Sequence, residues 1–206
     1  GSICLRSNDT IGALNAFVQA TEYDSQNPAN WSALGLVQLM LNQPDDALVS
    51  LSKSIDYGSK WAGDYINRGI IYYRKHNYRN ALADYDKAVT LSPRDAQCYY
   101  NRGVLRQELG DYNRALDDLT QAINLSPDQI EIYYQRGIVQ LQLRQWVDAI
   151  SDFQTIMQRY PYFLPAYYLA AQAHTSLGNG KTAFQLRQQA YDLEQKKDSI
   201  QAQALV

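Results

Sequence analysis

The sequence predicts an all-α chain, a solenoid in which one helical hairpin repeats every 34 residues. Glycine returns at Gly35, Gly69, Gly103 and Gly137, with Ala171 at the next step. Four residues before each stands an aromatic (Trp31, Tyr65, Tyr99, Tyr133, Tyr167), and twelve after stands an alanine (Ala47, Ala81, Ala115, Ala149, Ala183), followed four later by Leu51, Tyr85, Leu119 and Phe153. Apolar residues fall at helical spacing on both sides of a turn, as in Tyr99, Tyr100, Val104 and Leu105 and then Ala115, Leu116, Leu119, Ala122 and Ile123. That pattern makes two amphipathic helices per unit. A fixed period without insertions implies stacked units that bury their apolar faces against neighbours.

The elements follow in order. Ala13, Phe17 and Ala20 hold second-helix positions of a partial repeat, 3–27, whose first helix is reduced to Ile3, Cys4 and Leu5. Gly1-Ser2 reads as a cloning scar, so the chain is expected to be a fragment of a longer array. Asn27 can cap a helix that starts at Pro28, where proline's missing N–H costs nothing. Full repeats are expected at 28–61, 62–95, 96–129, 130–163 and 164–197. Asp95 can cap the helix from Ala96 as Asn27 does. Gly110-Asp111 and Gly178-Asn179-Gly180 suit the turns inside hairpins, because glycine takes left-handed backbone angles cheaply. Gly103 and Ala115 are small where two helices must approach closely. From Lys181 the pattern runs through Leu186, Ala190 and Leu193 and then turns polar. This suits a native terminal helix, with a C-terminal extension at 198–206.

Trp31-Ser32-Ala33-Leu34-Gly35 spells the W-x2-L-G element, and Pro93, Pro127 and Pro161 close their repeats in phase. On these residues the chain resembles the tetratricopeptide repeat (TPR) family over nearly its whole length. Its Asn-Arg-Gly and Gly-Asp-Tyr-Asn-Arg-Ala-Leu segments are similar to bacterial members, some of them exported to the envelope of Gram-negative cells. The resemblance implies a single TPR domain over 1–206, a right-handed superhelical α-solenoid of helix-turn-helix repeats. It also implies a non-catalytic protein-binding module. The compartment stays open between bacterial periplasm or cell envelope and cytoplasm.

Composition narrows the partners. A net charge of -2 over 206 residues provides no broad basic field, which argues against nonspecific nucleic-acid binding. No stretch approaches the roughly 18 apolar residues of a membrane span. Cys4 and Cys98 belong to different repeats and read as small hydrophobes rather than a disulfide. His76 falls in a turn and His174 on a distant helix, so neither a metal spacing nor a histidine beside a nucleophile is evident. No cofactor is expected, and no enzyme.

A second pattern runs inside the first. One residue before the repeat glycine the series reads Leu34, Arg68, Arg102, Arg136, Ala170, and sixteen residues later Ser50, Asp84, Asp118, Asp152, Leu186. Arginine and aspartate come and go together. The simplest account is structural pairing, Arg68 with Asp84, Arg102 with Asp118 and Arg136 with Asp152, since a planar guanidinium holds a carboxylate through two hydrogen bonds. The alternative is an arginine row that binds an anion.

If the hairpins stack as in known TPR domains, their first helices line a concave groove. The groove residues are then Ile66, Asn67, Ile70 and Tyr73, then Tyr100, Asn101 and Val104, then Tyr134, Gln135 and Ile138, and finally Tyr168 and Gln172. Asn67, Asn101 and Gln135 form an amide row similar to the asparagine ladder of some TPR superhelices. Such a row can pair with the main chain of an extended peptide whatever its sequence, while tyrosines add rigid contact area. The carboxylate clamp of chaperone-binding members needs lysine and arginine. Its places hold Ser32, Leu36, Asn67, Gln97 and Asn101, or one repeat later Ile66, Ile70, Asn101, Glu131 and Gln135. The expected ligand is therefore a neutral or mixed apolar segment of a partner protein. The alternative function is a scaffold segment acting through its ends or convex face, in which exposed Leu14 and Phe17 drive self-association.

Overall fold

The computed structural model describes residues 10–203, with side chains to residue 196. The Ile3-Cys4-Leu5 remnant, and with it Cys4, lies outside the described residues. Among those described, eleven helices follow one another with no strand: α1 (Thr10–Tyr23), α2 (Pro28–Met40), α3 (Pro44–Asp56), α4 (Ala62–Arg74), α5 (Tyr78–Leu91), α6 (Ala96–Glu108), α7 (Tyr112–Leu125), α8 (Ile130–Gln142), α9 (Trp146–Arg159), α10 (Leu164–Ser176) and α11 (Gly180–Gln203). They gather into two compact units, Gly1–Leu105 and Arg106–Val206, so the division falls inside α6.

In the first unit α1 packs on α2, α2 on α3, α3 on α4 and α4 on α5. Its core is a series of local clusters, such as Ala13, Phe17, Leu34 and Val37, then Ala47, Leu51 and Ile71, then Ala81, Tyr85 and Leu105. In the second unit α7 to α11 pack in the same sequential way, and α8 also touches α10. Phe153, Ile156, Ala166, Ala170 and Ala173 are fully buried at its centre. Burial between neighbours only is what a repeat architecture dictates.

The period has two visible causes. A Cβ added at Gly35, Gly69 or Gly137 would meet Leu51, Tyr85 or Phe153 at 2.8, 2.5 or 2.7 Å. The repeat glycine therefore admits the large residue sixteen positions later, and the close helix pair excludes any side chain there. The repeat aromatic ties its helix to the preceding loop. Trp31 Nε1 donates to the Ser25 carbonyl (2.7 Å), and the hydroxyls of Tyr65, Tyr99 and Tyr167 donate to Ser59 (3.4 Å), Pro93 (3.2 Å) and Pro161 (3.0 Å). Tyr65 is buried, whereas Tyr99 is half exposed.

Capping follows local chemistry: Asn27 Oδ1 accepts from Ala29 N–H at 3.0 Å and Asp95 Oδ1 from Gln97 N–H at 2.9 Å. The turns inside hairpins use a left-handed residue at Asn42, His76, Gly110, Arg144 and Gly178, with φ between 57 and 77°. The sequence marks only the two glycines. One expectation is corrected here: Phe17 is not an exposed apolar patch. It is 9% exposed, because α1 lays that face on α2.

Candidate functional site

Arg68 donates from Nε and Nη2 to the two oxygens of Asp84 at 2.9 and 2.7 Å, and Arg136 does the same to Asp152 at 2.8 and 2.7 Å. Each carboxylate is buried and each guanidinium mostly so. Burial opposes the charge of Arg68, but the hydrogen bond and field of Asp84 outweigh it and hold its pKa above the ordinary value. Burial raises Asp152 above the usual carboxylate range against the downward pull of Arg136. Arg102 lies in the first unit and donates through Nη1 to Asp86 at 2.8 Å, while Asp118 in the second accepts from Arg106 at 2.8 Å. Asp86 occupies the repeat position of Ser52 and Thr120, to which Arg68 and Arg136 reach at 3.4 Å. The guanidinium groups thus serve contacts within the stack.

In the first unit five of the proposed groove residues come together. Ile70 and Tyr73 from α4 and Tyr100, Asn101 and Val104 from α6 line a cavity of about 230 Å3, with Arg74 and Tyr85. Tyr85 is buried against Gly69, and burial raises its phenol pKa. Asn101 accepts from Gln97 Nε2 at 3.0 Å, but its Nδ2 is sealed from solvent and has no hydrogen-bond partner. A buried N–H left unmet costs about 1–3 kcal/mol, so the site stores a demand for an acceptor. Arg74 is exposed on the rim, and among the described residues it enters no ion pair.

Asn67 is half exposed on α4. Ile66 differs from the other groove positions: it is 8% exposed and packs with Ala62, Tyr65, Ala88 and Cys98, so its side chain is taken up by the core. In the second unit Tyr134, Gln135 and Ile138 are half exposed on α8. The Tyr134 ring stands edge-on to Phe163, centroids 5.4 Å apart at 86°. Tyr168 and Gln172 are exposed on α10.

A second cavity lies in the first unit. Ser32, Ala33 and Leu36 of α2 and the segment Gly58, Ser59, Lys60, Trp61 line a cavity of about 580 Å3. Against it lies Asp64, with no exposed surface. Its Oδ1 accepts from Ser32 Oγ at 2.7 Å, and its Oδ2 from Ser54 Oγ at 2.7 Å and Ser59 Oγ at 2.6 Å. In the sequence this junction is marked by Ser59, which replaces the closing proline while the stride is kept. Among the described residues no three His, Cys, Asp or Glu side chains cluster as a metal site would, and no helix is long and apolar enough to cross a membrane.

Two family models of the tetratricopeptide repeat match residues 69–130 and 100–163. The matched residues are tetratricopeptide repeats, in phase with the motif and the hairpins along the rest of the described chain. Among solved structures it is similar to YrrB, a TPR protein with an unusual peptide-binding site. That match has a TM-score of 0.81 and 23% identity, covering 88% of this chain and 93% of that one. It is also similar to MamA (41-end) from Desulfovibrio magneticus, at TM-score 0.76 and 19% identity over 83% and 97%. A third match is the C-terminal part of a TPR repeat-containing protein from Cytophaga hutchinsonii, at 0.79 and 16% over 93% and 77%. No curated protein matches the sequence. At these identities the likeness is one of fold, an all-α TPR solenoid. That fold is a protein–protein interaction module in general.

Proposed function

We propose that the chain is a non-catalytic adaptor whose first-helix faces hold an extended, neutral or mixed apolar segment of a partner protein. The observation that carries this reading is the cavity between α4 and α6, where an apolar and tyrosine-lined wall surrounds the unmet Nδ2 donor of Asn101. When the Asn101 amide turns out toward the cavity, a peptide carbonyl supplies the missing acceptor irrespective of side chain, and Tyr73 and Tyr100 supply rigid contact area. YrrB, of similar fold, has a peptide-binding site.

The test selects extended peptides from a random library on the wild-type chain and measures their affinity for Asn101→Ala and for Asn101→Ala with Tyr134→Ala. Loss of one buried hydrogen bond predicts about tenfold weaker binding, roughly 1.4 kcal/mol, with helicity and melting retained. Unchanged affinity rejects the reading. The competing reading, a scaffold segment that associates through its ends, draws on Ile11 and Val18, which α1 leaves exposed. It predicts concentration-dependent light scattering that Ile11→Glu with Val18→Glu abolishes.

A further inference from the structure

The junction of the repeats at 28–61 and 62–95 departs from its successors at one buried place. Ser54, Ser59 and Asp64 stand where the next repeat has Ala88, Pro93 and Cys98. Ser32 and Ser59 line the cavity of about 580 Å3 and both donate to Asp64, a size within the ~300–1,000 Å3 of ligand clefts. A hydroxyl has one proton, so Ser32, having given its own to Asp64, keeps only acceptor capacity toward the cavity.

Ser32 is also the reason the cavity exists. Its counterpart three repeats on is Tyr134, and the counterpart of Trp61 is Phe163. Those two rings pack edge to face. In the earlier repeat the indole keeps its half of this pair and the other half is open. Trp61 is 51% exposed and rests over Gly63, where a Cβ would stand 2.6 Å from the ring. Later repeats have Gln97 and Glu131 at that position. Lys60, on the rim, is exposed and in no ion pair among the described residues.

We propose that this cavity is a subsite for a tyrosine side chain of a partner protein, followed by an acidic residue. The ring packs against Trp61 as Tyr134 packs against Phe163, the phenol O–H donates a hydrogen bond to Ser32 Oγ, and the neighbouring carboxylate meets Lys60. The subsite rests on the peptide-binding reading, yet it uses α2 rather than α4 and α6, so the two fail separately.

The test follows the indole N–H signals of the three tryptophans by NMR in the whole chain, during titration with short Gly-Ser peptides carrying Tyr-Asp, Ala-Asp or Tyr-Lys at the centre. The expected result is a saturable shift of the Trp61 signal with Tyr-Asp, none with Ala-Asp, and about threefold weaker binding of Tyr-Lys, the scale of an exposed ion pair. Ser32→Tyr fills the cavity from within and abolishes the shift. Lys60→Glu, a surface change that leaves the fold intact, reverses the preference to Tyr-Lys. Equal shifts with Tyr-Asp and Ala-Asp overturn the subsite. So does a Trp61 signal that stays still while Asn101→Ala weakens the same peptide, and in that case the adaptor reading survives. No response to any peptide at Trp61, together with unchanged peptide affinity in Asn101→Ala, overturns both.

Discussion

The repeats at 28–61 and 130–163 share one backbone plan and solve the same packing problem with opposite chemistry. In the later repeat Arg136 and Asp152 form a two-pronged ion pair, and Tyr134 closes on Phe163. In the earlier one Leu34 and Ser50 replace the ion pair, with Ser50 Oγ donating to Gln38 Oε1 at 2.7 Å, while a buried carboxyl is held by serine hydroxyls. The 34-residue period dictates where helices touch. The residues between the periodic positions decide whether a junction is closed by its own rings or left open.

The largest effect is expected where a charge is stranded. Arg136→Leu leaves Asp152 buried and unpaired and should cost about 3–5 kcal/mol in denaturant melts. Adding Asp152→Leu should return most of it. Strictly additive losses would show that the pair does not act as a unit. Asp64→Ala leaves the hydroxyls of Ser32 and Ser59 without their acceptor, while Ser54 Oγ still has the Pro28 carbonyl at 2.8 Å. The expected loss is about 2–3 kcal/mol by the same melts. Converting the whole junction to the later pattern, Ser54→Ala with Ser59→Pro and Asp64→Cys, should cost less than Asp64→Ala alone if the network is one exchangeable unit.

The turns offer a smaller and opposite effect. Arg144 and His76 hold positive φ where two other repeats use Gly110 and Gly178. Arg144→Gly should therefore stabilise by about 0.5–1 kcal/mol and Gly110→Ala destabilise by a similar amount, read as opposite shifts in Tm. A further effect is confined to alkaline pH. Burial pushes the Cys98 thiol up to about 11 and also raises Tyr85. The unfolded chain releases these protons first, so stability should be full below the ordinary thiol value and fall as pH rises toward about 11. Melts of Cys98→Ala against pH should show a shallower decline.

Much of the fold was legible in the sequence because its causes are local. Gly35, Gly69 and Gly137 announce a close helix pair, and the large residue sixteen positions on names the partner. Arg68 with Asp84 and Arg136 with Asp152 could be proposed because they appear in phase, and in both repeats they meet. Ile66 and Phe17 could not be placed, since an apolar residue at helical spacing does not state which neighbour will cover it. The positive φ of Asn42, His76 and Arg144 left no mark in composition, because the geometry of the hairpin imposes it on whatever residue stands there.

The sequence alone determined the helices, their pairing and the 34-residue stride, all of which follow from short-range periodicity, caps and the volume of a missing side chain. Only the tertiary structure decided that Asp64 would be enclosed by Ser32, Ser54 and Ser59, that Asn101 would keep an unmet donor, and that Trp61 would face an open cavity. The reason is physical: burial and hydrogen-bond satisfaction belong to groups brought together from different helices, and a linear pattern gives the face of each helix without what is set against it.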